Sequence, residues 1–384
     1  MLMDVSSEMI HALLPVYLVT VLGPSMLAVR FIEGSAEATA MIVKIFSGAL
    51  SDWLGKRKLL AALGYGLGAL TKPIFPLATG IGWIVTARFV DRIGKGIRGA
   101  PRDALVADLS PPEVRGASFG LRQSLDTVGA FIGPLAAIGL MMLTADNFPL
   151  VFWIAVIPAF LSFGLIWLGV KEPVHKSAMP EREKRRWQLA FKRLPLAYWL
   201  VVVFSAALTL ARFSEAFLIL RAQSAGMSIA LVPVVLVVMN VVYALTAYPV
   251  GVLSDRLGRN GVLAIGVLVL IIADIVLAFA GDISMVLAGV ALWGLHMGLT
   301  QGLLSALIAD TAPADLRGTA FGMFNFAAGL AALAASVLAG ALWDRFGPAA
   351  TFLASAGFSG FSLFGLMVFL LYFQARPPAG KSIS

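Results

Sequence analysis

The segment GALSDWLGKRKLL at 48–60 returns as GVLSDRLGRNGVL at 251–263, 203 residues later. DALVADLSPPEVRGASFG at 103–120 returns as SALIADTAPADLRGTAFG at 305–322, 202 residues later. Two independent matches at nearly one offset point to a chain built from two copies of one unit. The copies share a fold and an orientation, so whichever side of a boundary the first loop occupies, the second occupies too.

The boundary is a lipid one. The 384 residues are 59% hydrophobic and only 13% charged, with a mean hydropathy of +0.91. A soluble protein carries about 25% charged residues. A bilayer-spanning helix needs about 20 mainly apolar residues. Runs of that kind are read at roughly 2–23, 35–53, 59–79, 81–106, 114–142, 150–170, 198–221, 229–253, 261–280, 284–309, 316–342 and 349–373, hereafter spans 1 to 12. They are too long for barrel strands of about 9–11 residues. Prolines inside them (Pro15, Pro73, Pro134, Pro249) are tolerable in a packed bundle. The expected fold is an all-α membrane protein of twelve transmembrane helices in two pseudo-symmetric six-helix bundles. The division expected is an N-terminal bundle over 1–170, a polar linker over 171–197 and a C-terminal bundle over 198–384.

The linker holds eight Lys/Arg. Placing it in the cytoplasm puts both termini there, together with Lys56, Arg57, Lys58, Arg115, Arg256, Arg259 and Arg317, and leaves Arg30, Arg221 and Arg345 outside. That bias follows the positive-inside rule and suits the inner membrane of a bacterium. The net charge of +8 sits in these short loops and not in a separate basic domain, which argues against nucleic-acid binding. The absence of cysteine excludes disulfides and thiolate metal sites. No Gly-x4-Gly-Lys-Ser/Thr pattern is present, which disfavours ATP-driven transport by this chain alone. No catalytic constellation stands out, and an enzyme is not expected.

The repeated Gly-x-x-Ser-Asp-x-x-Gly-Arg/Lys loops resemble the signature of the major facilitator superfamily, found between helices 2 and 3 and again between helices 8 and 9. Gly48, Asp52, Gly55, Lys56 and Arg57 match the first copy; Gly251, Asp255, Arg256, Gly258 and Arg259 match the second, where Asn260 and Gly261 depart from its basic end. The resemblance covers essentially the whole chain. It implies a gating role for these loops, a substrate site near the midplane between the halves, and a chain sufficient as a monomer. In span 5, Gly120, Gly129, Gly133 and Pro134 fit Gly-x8-Gly-x3-Gly-Pro, which looks like the family's antiporter motif, although its final glycine pair is missing. The second half has Ala335 and Ser336 where the first has Gly133 and Pro134. The stretch ARFVDRIGKGIRGAPRDALVAD at 87–108 resembles the family's helix 4 pattern of an arginine followed by glycines.

Ionisable residues inside a membrane are costly and usually functional. Asp4, Glu8 and His11 share one face of span 1 at i, i+4 and i+7. Glu33, Glu37 and Lys44 mark span 2; Arg88, Arg92 and Lys95 line one side of span 4; Arg122 and Asp126 are i, i+4 neighbours in span 5. The second half offers Arg212, Glu215, Asn240, Tyr243, His296 and Gln301. Glu8 and Glu37, and then Asp4, are the proton-coupling candidates, because burial favours loading and release near neutral pH. The arginines of span 4 either bind an anionic or zwitterionic solute, or pair with Asp91, Glu8 and Glu37 and shape a gate. A structural ion pair of Glu37 with Lys44 or Arg88 is the plain alternative to coupling. Asp4, Glu8 and His11 with Glu33 or Glu37 could ligate a divalent metal, since oxygen and imidazole ligands suit several divalent ions, but no metal or other cofactor is expected beyond the coupling proton.

The leading expectation is a secondary transporter of a small solute working by alternating access, with proton-coupled efflux by antiport. The alternative is proton-coupled uptake, by symport, of an anionic nutrient or metal chelate. A lipid translocase or a transporter-shaped sensor ranks below both.

Overall fold

The computed structural model describes residues 1–17, 26–172, 192–228, 231 and 233–374, without side chains at 15, 16, 26–34, 37, 233 and 368–374. Most of the expected linker, 173–191, and the side chains of Glu33 and Glu37 lie outside the described residues.

The described chain is helical, with no strand among the described residues. The helices are α1 (Leu2–Tyr17), α2 (Met26–Leu54), α3 (Arg57–Thr71), the single turn α4 (Ile74–Leu77), α5 (Ile81–Leu109), α6 (Arg115–Leu143) and α7 (Phe148–Gly169). They continue as α8 (Leu196–Ala211), α9 (Ala216–Ser224), α10 (Pro233–Leu257), α11 (Arg259–Phe279), α12 (Ile283–Thr311) and α13 (Arg317–Gln374). A helix satisfies its own backbone polar groups, which is what lipid demands. Seven helical segments among the described residues are long and apolar enough to cross a membrane. The last of them joins two expected spans: a 58-residue helix would be about 87 Å long at 1.5 Å per residue, and α13 is broken at Gly347, whose φ is 80°. The helices α1, α2, α3 and α5 are shorter or carry the interior charges.

Two expected spans are interrupted. Span 3 divides at Lys72 and Pro73 into α3 and α4, because proline removes a backbone donor. Span 7 divides at Arg212–Glu215 into α8 and α9. Arg221, expected as an outer-loop charge, is buried, and its Nε donates to the carbonyl of Leu277 at 2.7 Å. It satisfies a carbonyl in the last turn of α11, where helix carbonyls lack in-helix partners.

The chain forms two compact units. The first comprises Met1–Pro112, Leu125–Tyr198 and Ile308–Phe326; the second comprises Glu113–Ser124, Trp199–Leu307 and Ala327–Ser384. The start of α6 thus belongs to the second unit, and the start of α13 to the first. In the first unit α5 packs on α2 and α3, and α1 packs on α7. Its core gathers Met9, Ile10, Leu14, Tyr17, Phe75, Ile84 and Phe152, with the rings of Tyr17 and Phe152 edge-on at 5.4 Å. In the second unit Val262, Leu299 and Leu303 form a smaller cluster. Large apolar side chains such as Leu143, Leu168, Leu257 and Phe361 remain exposed, as lipid-facing positions should.

Candidate functional site

Each copy of the repeated loop holds the start of a helix. In the first unit, the Asp52 carboxylate accepts the backbone N–H of Gly318 at 2.9 Å and of Thr319 at 2.5 Å, in the first turn of α13. In the second unit, Asp255 accepts from Gly116 at 2.9 Å and Ala117 at 2.8 Å, in the first turn of α6. A carboxylate there meets free N–H groups and the positive end of the helix dipole together. Backbone contact makes the approach possible: a Cβ on Gly318 would lie 2.8 Å from Asp52 Oδ1, and one on Gly116 would lie 2.6 Å from Asp255 Oδ1. Gly48 lies against Gly318, and Gly251 against Gly116. Both loops turn through a left-handed residue, Gly55 at φ 63° and Gly258 at φ 91°.

The basic ends of the two copies differ. Arg57 is buried, donating to Asp108, to Asp52 at 3.1 Å and to the Ala314 carbonyl at 2.6 Å. Asp108 also accepts from Arg317 at 2.7 Å, so two carboxylates and two guanidiniums alternate. Lys56, grouped with Arg57 on sequence, is exposed. In the second copy Arg259 donates to Asp255 at 3.3 Å, and Arg256 is exposed. Asp108 was not singled out on sequence and Arg317 was read only as a cytoplasmic charge, although both lie within the repeated segments that mark the two halves.

Inside the first unit, α1, α3 and α5 bring together His11, Lys72, Arg88, Asp91 and Arg92. Arg88 Nη1 meets His11 Nε2, and Arg92 Nη2 lies against both ring nitrogens, 3.0 Å from Nε2 and 3.3 Å from Nδ1. Arginine can only donate, so Nε2 must accept. With Nε2 accepting from Arg88, the ring hydrogen is assigned to Nδ1, which lies 3.3 Å from Arg92 Nη2 and 3.6 Å from Glu8 Oε1, beyond hydrogen-bond reach. Asp91 pairs with Lys72 at 2.9 Å and with Arg92 at 3.3 Å, and Lys72 also donates to Ser7 at 3.1 Å. Arg98 stacks over the Tyr65 ring at 4.6 Å. Lys72, fully buried, was passed over on sequence; a lone lysine just before Pro73 in an apolar run was the available signal. Among the described residues this interior carries Lys72, Arg88, Arg92, Lys95 and Arg98 against the carboxylates of Glu8 and Asp91, and positive charge exceeds negative.

The glycines of α6 seat α1. A Cβ at Gly129 would lie 2.6 Å from the Met1 carbonyl, and one at Gly133 would lie 2.7 Å from Glu8 Cβ. Gly120, nearer the start of α6, abuts Ala247 of α10 in the second unit. Pro134 continues the helix. Asp4 lies 2.9 Å from the Met1 amino group. Asp126 is engaged by Arg102 at 3.4 Å, while Arg122 belongs to the other unit, where it donates to Gln123. Lys44 lays its aliphatic stem along Gly99 of α5.

The second unit is sparser. Arg212, at the α8–α9 break, faces the Gln301 amide oxygen and stacks 6.0 Å from the centre of the Trp293 ring. His296 Nδ1 donates to the Gly266 carbonyl at 2.7 Å. Asn240 is half-buried and Tyr243 buried on α10, and Glu215 stands at the start of α9. No group of three or more His, Asp or Glu able to hold a metal occurs among the described residues.

The chain is similar in sequence and in backbone to known proteins. The chain is 34% identical over 360 residues to the uncharacterized MFS-type transporter MJ1317 of Methanocaldococcus jannaschii, covering 91% of this chain and 87% of that one. A partial likeness, 27% over 197 residues, links it to the quinolone resistance protein NorA of Staphylococcus aureus, covering 51% of this chain and 48% of that one. Its backbone is similar to that of the fucose:proton symporter FucP of E. coli, with a TM-score of 0.79 at 19% identity over 96% of this chain and 95% of that one. The model of the Major Facilitator Superfamily matches residues 1–238 and 213–384. With repeated loops that grip helix starts, interior charges on apolar helices and a match along its length, this chain belongs to the major facilitator superfamily, as a multi-pass membrane transporter.

Proposed function

We propose that the chain is a proton-coupled secondary transporter of a small anionic solute, held by Arg88 and Arg92 beside His11 and Glu8. The observation that carries this reading is the cluster at His11, whose Nε2 accepts from Arg88, with Arg92 against both ring nitrogens and Glu8 Oε1 3.6 Å from Nδ1. A carboxylate or phosphate drawing Arg88 and Arg92 away leaves Nε2 open to a proton. Protonating Glu8 likewise releases the surrounding cations for the solute. Each event favours the other, and such coupling is reciprocal by thermodynamic necessity. Proton and anion then bind together, which is symport. In this reading the two Asp–helix contacts are latches that part and reform as access alternates, and the linker side and both termini face the cytoplasm of the cell that carries the protein.

Antiport is the second reading. It is favoured by the seating of Glu8 on Gly133 of the antiporter-like motif and by the likeness to NorA. The experiment that separates them uses proteoliposomes loaded with a pH-sensitive dye. Sugar acids, dicarboxylates, phosphate esters and cationic quinolones are added outside in turn. Acidification of the lumen by an anion, lost in Glu8→Gln and in Arg92→Gln, is the expected result. Alkalinisation on adding a cationic quinolone, with no response to any anion, overturns the proposal in favour of antiport.

A further inference from the structure

Asp274 lies on α11 with 1% of its surface exposed, among the buried apolar residues Leu270, Ala273 and Leu277. Its Oδ2 is 2.6 Å from Ser355 Oγ on α13, and its Oδ1 has no hydrogen-bond partner. Among the described residues no charged side chain pairs with it; the flanking elements present only the Ser355 hydroxyl and, through it, a backbone carbonyl. Ser355 Oγ lies 2.7 Å from the carbonyl of Ala211, the last residue of α8. Helix carbonyls at that position lose their in-helix partners.

The hydrogens can be counted. A serine hydroxyl has one hydrogen to donate, and a carbonyl only accepts. If Ser355 gives its hydrogen to Ala211, the contact between Ser355 and Asp274 needs a hydrogen from the aspartate. An ionised Asp274 would instead be a buried charge with one oxygen unsatisfied and no cation against it, which is costly. We propose that Asp274 is a proton-binding site, neutral in this structure, whose hydrogen completes a chain from Asp274 Oδ2 through Ser355 Oγ to the Ala211 carbonyl and so fixes the break between α8 and α9. On ionisation the proton passes to water, the Ser355 hydrogen turns to the carboxylate, and the Ala211 carbonyl is uncapped. The next residue is Arg212, which faces Gln301, so the protonation state of Asp274 bears on where that guanidinium points. The site lies wholly in the second unit and stands whether or not the solute is an anion.

Infrared difference spectroscopy on the purified full chain tests this. The wild type at neutral pH should show the C=O stretch of a protonated carboxylic acid that is absent from Asp274→Asn. That band should shift to higher frequency in Ser355→Ala, where the acid loses its acceptor. Thermal unfolding supplies the second readout. Asp274→Asn keeps a donor toward Ser355 and should melt near the wild type, whereas Ser355→Ala should melt clearly lower. Absence of the acid band overturns the proposal, as does a band indifferent to Ser355→Ala. A loss of melting temperature in Asp274→Asn as large as in Asp274→Ala also overturns it.

Discussion

The two copies of the repeated loop do one task with unequal means. Asp52 and Asp255 each hold two backbone N–H groups at a helix start, and each relies on a glycine pair for close approach. Beyond the carboxylate they part. The first copy buries Arg57 in a network with Asp52, Asp108 and Arg317, while the second has Asn260 at the place of Arg57 and uses Arg259, the first residue of α11, which reaches back across the Gly258 turn to Asp255. The common part is what geometry requires to hold a helix start. The extra guanidinium is an elaboration that makes the first contact the more costly one to disturb.

The largest test of that difference is removal of the arginines. Arg57→Ala leaves Asp52 and Asp108 buried with a cation missing, and breaking a buried ion pair costs about 3–5 kcal/mol. Arg259→Ala removes a less deeply buried partner that makes one 3.3 Å contact with Asp255 across the Gly258 turn, for which about 1 kcal/mol is expected. Unfolding of the two purified variants by thermal melting or denaturant should rank them in that order. Equal losses would erase the distinction between the copies. The smallest effect is expected at the exposed neighbours: Lys56→Ala and Arg256→Ala should each change stability by under about 0.5 kcal/mol. A loss at Lys56 comparable to that at Arg57 would show that the network extends beyond the buried arginine.

Much of the fold was legible because lipid leaves few choices. Long apolar runs must be helices, and the 202–203 offset announces two copies before any contact is known. Interruptions inside a run were not legible. Residues 212–215 sit in apolar sequence, and the break there is sustained by Ser355, more than 140 residues away. Loop charge was read as a marker of sidedness, which could not distinguish exposed Lys56 from its buried neighbour Arg57. Nor could it show Arg221 as the cap of α11. Helical spacing put Glu8 and His11 on one face, but the arginine partners of His11 depend on α5 crossing α1, which spacing within one helix does not encode. Lys72 was missed for a related reason: its meaning comes from Asp91, on a different helix.

The central claim is that proton and anion bind together in the first unit. Its most direct measurement is calorimetric titration of an anion, found by the liposome screen, into the wild type in two buffers of different ionisation enthalpy. The account predicts net proton uptake on binding, abolished in Glu8→Gln or His11→Gln. Net proton release would contradict it and assign the same residues to exchange.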